Sequence, residues 1–171
     1  MKLLFISLGC DKNLVDSEEM LGMLAADGHE IVDDEDEAEV IIVNTCCFIG
    51  DAKEESVNTI LEMAEKKKAG TCKVLIVTGC MAQRYKKEIS EEIPEVDAIL
   101  GTTSYGDISK AVKEAQAGRH FEEYKSIDFL PDISGKRMLT TGGHFAYLKI
   151  AEGCDKHCTY CIIPRLRGGY R

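Results

Sequence analysis

Residues 1–118 alternate short apolar runs with stretches of helical apolar period. KLLFISLG (2–9) reads as a buried strand. NLVDSEEMLGMLAADG (13–28) reads as a helix, with Asn13 placed to cap it, Asp16 three residues on, and Gly28 to stop it. HEIV is a short strand, and VIIVNTC (40–46) is a β-branched run. DAKEESVNTILEMAEKKKAG (51–70) carries Val57, Ile60, Leu61 and Ala64 on one helical face, with Asp51 as its cap and Lys66–Lys68 at its C-terminal end. KVLIVTGC (73–80) is a further strand, AQRYKKEISEEI a helix stopped by Pro94, DAILGT a strand, and DISKAVKEAQAG (107–118) a closing helix.

Near-continuous apolar strands separated by amphipathic helices predict an α/β fold: a parallel sheet with helices on both faces. Residues 119–136 follow neither period and contain Pro131 and Gly135, so they predict a linker. RMLTTGGHFAYLKIAEGC (137–154) predicts two strands joined at Gly142-Gly143. The domain plan is thus 1–118, a linker over 119–136, and a second unit over 137–171.

Composition narrows the class. The chain has 171 residues, 44% of them hydrophobic and 30% charged, which suits a globular domain of ordinary composition. No apolar run reaches the ~18 residues of a membrane span. The N-terminus lacks a small-residue cleavage site and reads as a strand rather than a leader. A cytoplasmic location is expected, with no membrane partner. The net charge of −9 disfavours non-specific binding to nucleic acid and suits a basic partner. The acidic run DDEDEAE (33–39) reads as a solvated loop.

Eight cysteines change the picture. Cytoplasmic thiols stay reduced, which leaves structural thiols, catalytic thiols and metal ligands. Cys10, Cys46 and Cys80 each follow a predicted strand. In a parallel sheet those ends share one edge, where open α/β sheets bind ligands. Buried structural thiols are the plainer alternative. Cys72 precedes its strand and is expected to be structural, while Cys47 is a spare thiol or an alternative ligand. Cys154, Cys158 and Cys161 form a Cys-x₃-Cys-x₂-Cys run. Zinc wants a fourth protein ligand. Three close thiolates suit a [4Fe–4S] cluster with one open iron, of the kind that binds and reduces S-adenosylmethionine. Tyr160 stands where an aromatic ring would lie near adenine, or simply packs. Two groups of three cysteines imply two clusters. No Gly-rich phosphate loop follows the first strand, which argues against a flavodoxin-like binding domain.

The stretches SLGCDKNLVDSE, NTCCFIGDAKEES, VTGCMAQRY, PEVDAILGT and AYLKIAEGCDKHCTYCIIPRLRG resemble the methylthiotransferase family of radical S-adenosylmethionine enzymes, and within it the type that modifies ribosomal protein S-twelve. The resemblance covers nearly all of residues 3–171. It implies that Cys10, Cys46 and Cys80 hold an auxiliary [4Fe–4S] cluster, and that Cys154, Cys158 and Cys161 hold the radical cluster. It implies that S-adenosylmethionine is the second cofactor, with an electron donor protein and ribosomal protein S-twelve as partners. The implied reaction adds a methylthio group to the β-carbon of an aspartate. The alternative type acts on isopentenyladenosine beside the anticodon of tRNA. Family members pair an N-terminal α/β domain with a βα barrel and a C-terminal RNA-binding-type domain. Only the start of the barrel is expected in residues 137–171, with no assignable catalytic residue, so the chain alone is expected to be inactive or to act as a cluster-binding module. Asp11 and Cys47 depart from the family, which often has Pro and Gly there.

Overall fold

The computed structural model describes residues 1–131 and 137–171. Six strands form one sheet: β1 (Lys2–Ser7), β2 (Glu30–Ile31), β3 (Val40–Thr45), β4 (Val74–Gly79), β5 (Ala98–Leu100) and β6 (Phe121–Glu123). Their order is β2-β1-β3-β4-β5-β6 and every pair is parallel. The central strands β3 and β4 are buried along their whole length, as a two-sided parallel sheet requires.

Side chains alternate between two cores. Val40, Ile42 and Ile76 face the layer of α1 (Asp11–Ala26) and α5 (Ile108–Gln116), where they meet Met20, Leu24, Ile108 and Val112. Ile41, Val43, Leu75 and Val77 face α2 (Gly50–Lys68), α3 (Cys80–Arg84) and α4 (Lys86–Glu92), where Ile60, Met63, Met81 and Ile89 await them. The expected α/β architecture is therefore present.

Several local expectations are corrected. The linker contains a strand, because β6 pairs with β5 and extends the sheet. Its sequence, Phe-Glu-Glu, is polar because an edge strand is only half covered. The rest of the expected linker, 132–136, lies outside the described residues. The expected helix over 82–93 starts earlier, at Cys80, and breaks at Tyr85, whose φ of −116° and ψ of 32° leave the helical region. Asn13 does not cap α1: the helix begins at Asp11 after Cys10, and Asn13 lies inside it, fully buried. Asp51 does not cap α2, which begins at Gly50 after Ile49. On α2 the buried side chains are Ser56, Ile60, Met63 and Ala64, whereas Leu61 is exposed.

No strand forms over 137–154 among the described residues, so the expected start of a barrel is not seen as a hairpin. Two amides at the start of this segment bond α1 instead. Met138 N–H donates to the Glu18 carbonyl at 3.0 Å, and Thr140 N–H to the Glu18 carboxylate at 2.6 Å. Further on, Glu152 and Arg171 exchange both backbone bonds, and Cys154 N–H donates to the Gly168 carbonyl. These bonds close residues 152–171 into one loop, which holds the short helix α6 (Ile163–Arg167).

Candidate functional site

The register places Ser7, Asn44 and Thr78 in one row across β1, β3 and β4. The loops that carry Cys10, Cys46 and Cys80 thus leave three neighbouring strands at the same height. The three cysteines line one cavity of about 340 Å³, together with Phe48, Ile163, Leu166 and Arg167. No imidazole or carboxylate lines it. Soft sulfur donors in an apolar wall suit iron–sulfur chemistry better than a hard cation.

Two glycines make this approach possible. Gly9, at φ +95°, lies where a Cβ would stand 2.6 Å from the Cys46 Cβ. Gly79, at φ +94°, lies where a Cβ would stand 2.5 Å from the Thr45 carbonyl oxygen. Each immediately precedes a cysteine of the triad, and only glycine combines that φ with that closeness.

Side chains from the helices fix the loops. Ser56 on α2 accepts from Cys46 N–H at 3.0 Å and donates to the Cys46 carbonyl at 2.8 Å. Asn13 on α1 donates from Nδ2 to the Leu8 and Thr45 carbonyls, each at 2.9 Å. Asn44 donates to Asn13 O at 3.0 Å and to Ser17 Oγ at 2.9 Å, which pins β3 to α1. Thr45 Oγ1 donates to the Thr78 carbonyl at 2.5 Å.

Burial pushes the Cys80 thiol up to about 12, against the pull of the Arg167 guanidinium. Cys10 is exposed, at the N-cap position of α1. Cys47 does not line the cavity. It packs in the α2–α4 core, and burial raises its thiol. Cys72 is buried at the opposite sheet edge, donating its S–H to the Val74 carbonyl at 3.1 Å.

The C-terminal cysteines are less gathered. Cys158 and Cys161 line a neighbouring cavity of about 460 Å³ with Tyr160, Arg84 and Arg165. Cys154 does not line it. Tyr160 is 86% exposed and belongs to this cavity's wall. Phe48 lines both cavities. Among the described residues no three His, Cys, Asp or Glu side chains crowd closely enough to hold a single ion. A cubane makes a different demand, because each thiolate meets its own iron.

Sequence reasoning passed over a buried charged network behind the first cavity. Arg167, 2% exposed, donates from Nη1 to Asp16 Oδ2 and to Glu152 Oε2, each at 2.9 Å. Lys149 pairs with both carboxylates. Burial raises Glu152, but Arg167 and Lys149 outweigh it and hold the carboxyl below its ordinary value. The available signal was Asp16 and Glu18 on α1, two acids on a helix that contacts both β1 and α5 and must bury most of its surface.

The family described as uncharacterized protein family UPF0004 matches residues 2–101. Three similar curated proteins are each named ribosomal protein uS12 methylthiotransferase RimO. The one from Lachnoclostridium phytofermentans is 63% identical over 100% of this chain and 39% of its own length. That from Clostridioides difficile is 52% identical over 100% of this chain and 38% of its own length, and that from Geobacter sulfurreducens 50% over 99% and 38%. The chain thus spans less than two fifths of the length of these relatives. Its sheet, its loops and these matches together show that the chain belongs to the UPF0004 family.

Proposed function

We propose that this chain carries the cluster ligands of a radical S-adenosylmethionine methylthiotransferase that modifies the β-carbon of an aspartate in ribosomal protein uS12. The convergence of Cys10, Cys46 and Cys80 on one apolar cavity carries this reading. The names of the relatives support the reaction and its substrate. The tRNA-modifying alternative is not favoured, since each relative described above bears the ribosomal-protein name.

In this reading Cys10, Cys46 and Cys80 hold an auxiliary [4Fe–4S] cluster, and Cys154, Cys158 and Cys161 hold the radical cluster. When bound, the clusters supply with S-adenosylmethionine a source of single electrons and a sulfur-bearing iron site. The chain's own residues shape the surroundings. Asn13 and Ser56 fix the loops that carry the first triad. Phe48, shared by both cavity walls, is the side chain that joins them. Tyr160 offers an aromatic face beside Cys161 for the adenine ring. A small electron donor protein docks from the cytoplasm, and the basic substrate meets an acidic chain.

Anaerobic reconstitution tests the ligand assignment. The chain should take up about eight irons, and Cys10, Cys46 and Cys80 changed together to Ala should remove about half. Iron that stays near four in the parent, or is untouched by the triple change, refutes two clusters. For the substrate, the full-length enzyme is offered uS12 and tRNA in parallel. A mass gain on tRNA alone defeats the uS12 reading.

A further inference from the structure

Asn13 is fully buried, and its side-chain amide touches all three loops of the first triad. Its Nδ2 donates to the Leu8 carbonyl, two residues before Cys10, and to the Thr45 carbonyl, one residue before Cys46. Its Oδ1 accepts from the Cys80 thiol at 3.9 Å and from Arg167 Nη2 at 2.5 Å. One amide therefore fixes the spacing of three sulfur-bearing segments that come from three different strands.

Arg167 arrives from the far end of the chain and completes this arrangement. It lines the cavity beside the cysteines, whereas Asp16 and Glu152 do not. The carboxylates stand behind the guanidinium and orient it, which leaves its charge nearest the thiols. A buried charge costs several kcal/mol unless it is paired and hydrogen-bonded. Here Asp16, Glu152 and Asn13 meet that cost. The neighbouring cation in the wall, Lys12, is far more exposed.

We propose that Asn13 and Arg167 form one positioning unit for the first cysteine triad, Asn13 setting the spacing of its loops and Arg167 supplying a fixed positive charge to its bound cluster. The proposal rests on the cluster reading above. It adds that residues 152–171 finish a site whose sulfurs all lie in the first half of the chain. The charge acts electrostatically: it offsets the negative charge that thiolate ligation and one-electron reduction place in a low-dielectric cavity.

The test uses the 171-residue chain with Cys154, Cys158 and Cys161 changed to Ala, so that only the first triad can bind iron. After anaerobic reconstitution, iron content and the midpoint potential of the cluster are measured by spectroscopically monitored reduction. The parent should hold about four irons. Arg167→Lys keeps the charge and should keep both iron and potential near the parent's. Arg167→Gln keeps a donor for Asn13 but loses the charge, and should move the potential to more negative values. Asn13→Asp keeps size and acceptor but turns an anionic oxygen toward the Leu8 and Thr45 carbonyls. It should lose most of the iron while circular dichroism shows the fold intact. An unchanged potential in Arg167→Gln, a shifted one in Arg167→Lys, or full iron in Asn13→Asp overturns the proposal. If Arg167→Gln does not fold, Arg167→Lys and Asn13→Asp decide. A parent that binds no iron defeats the cluster reading itself, and the proposal with it.

Discussion

At the scale of single residues, the glycines before the cysteines are as demanding as the cysteines. Gly79→Ala must place a Cβ 2.5 Å from the Thr45 carbonyl oxygen at a φ of +94°. Left-handed strain and overpacking together should cost about 2–4 kcal/mol. Gly106→Ala is the control: nothing lies within 4 Å of its added methyl, and a change of about 0.5 kcal/mol or less is expected. Denaturant midpoints of the two variants check the difference. The gathering of Cys10, Cys46 and Cys80 was legible because each follows a strand of a parallel sheet. Asn13 was not. A helix-start Asn reads as a cap, and only the folded chain reveals that its amide bonds the Leu8 carbonyl and, across to β3, the Thr45 carbonyl. Arg167 was invisible for a related reason: its carboxylate partners lie 15 and 151 residues away in sequence.

At the scale of elements, α1 serves two masters. One side faces the sheet through Met20 and Leu24, while Glu18 receives the segment from 137 to 140. Burial raises the Glu18 carboxyl, but the Thr140 amide and Arg137 outweigh it and leave it below the ordinary 4.5. A carboxyl depressed in the folded state stabilises fully above its unfolded value. That contribution fades as pH falls through the lower folded value. Acidification below about pH 4.5 should therefore loosen residues 137–140 before the sheet melts. Amide exchange at Met138 and Thr140, followed against pH, measures it. Faster exchange there should precede any change at β3 and β4, and Glu18→Gln should reproduce much of the effect at neutral pH. Strong strands and amphipathic helices were readable element by element, since β3 and β4 each open with four consecutive apolar residues. β6 was not, because a three-residue edge strand takes its identity from β5 rather than from its own pattern. Of the segment expected as strands, 137–154, the amides of Met138 and Thr140 bond Glu18 of α1, and Glu152 and Cys154 bond the C-terminal residues Arg171 and Gly168.

At the scale of the molecule, the first cavity belongs to both ends of the chain. Ile163, Leu166 and Arg167 form part of its wall, and Leu166 is the C-terminal contribution to the α2–α4 core. A chain cut after Pro131 should still fold, since nearly all of both cores lies before that point. Its Cys46 and Cys80 thiols, each 5% exposed here, should however react much faster with a thiol reagent than in the intact chain. Equal labelling rates would show that the C-terminal wall does not protect them. The α/β class was legible from periodicity alone. The closure of the cavity was not, because it depends on a long-range charged docking that no local pattern encodes.

The place of Arg167 also sets an order in time. Cys10, Cys46 and Cys80 leave the ribosome nearly ninety residues or more before the guanidinium that sits beside them. At ~5–20 residues per second, the sheet edge stands open for about 4–17 s of synthesis. During that interval the three thiols lack the part of their wall that Ile163, Leu166 and Arg167 supply. The arrival of Arg167 then completes that wall, so the chain's own direction of synthesis makes the closing of the cavity a late event.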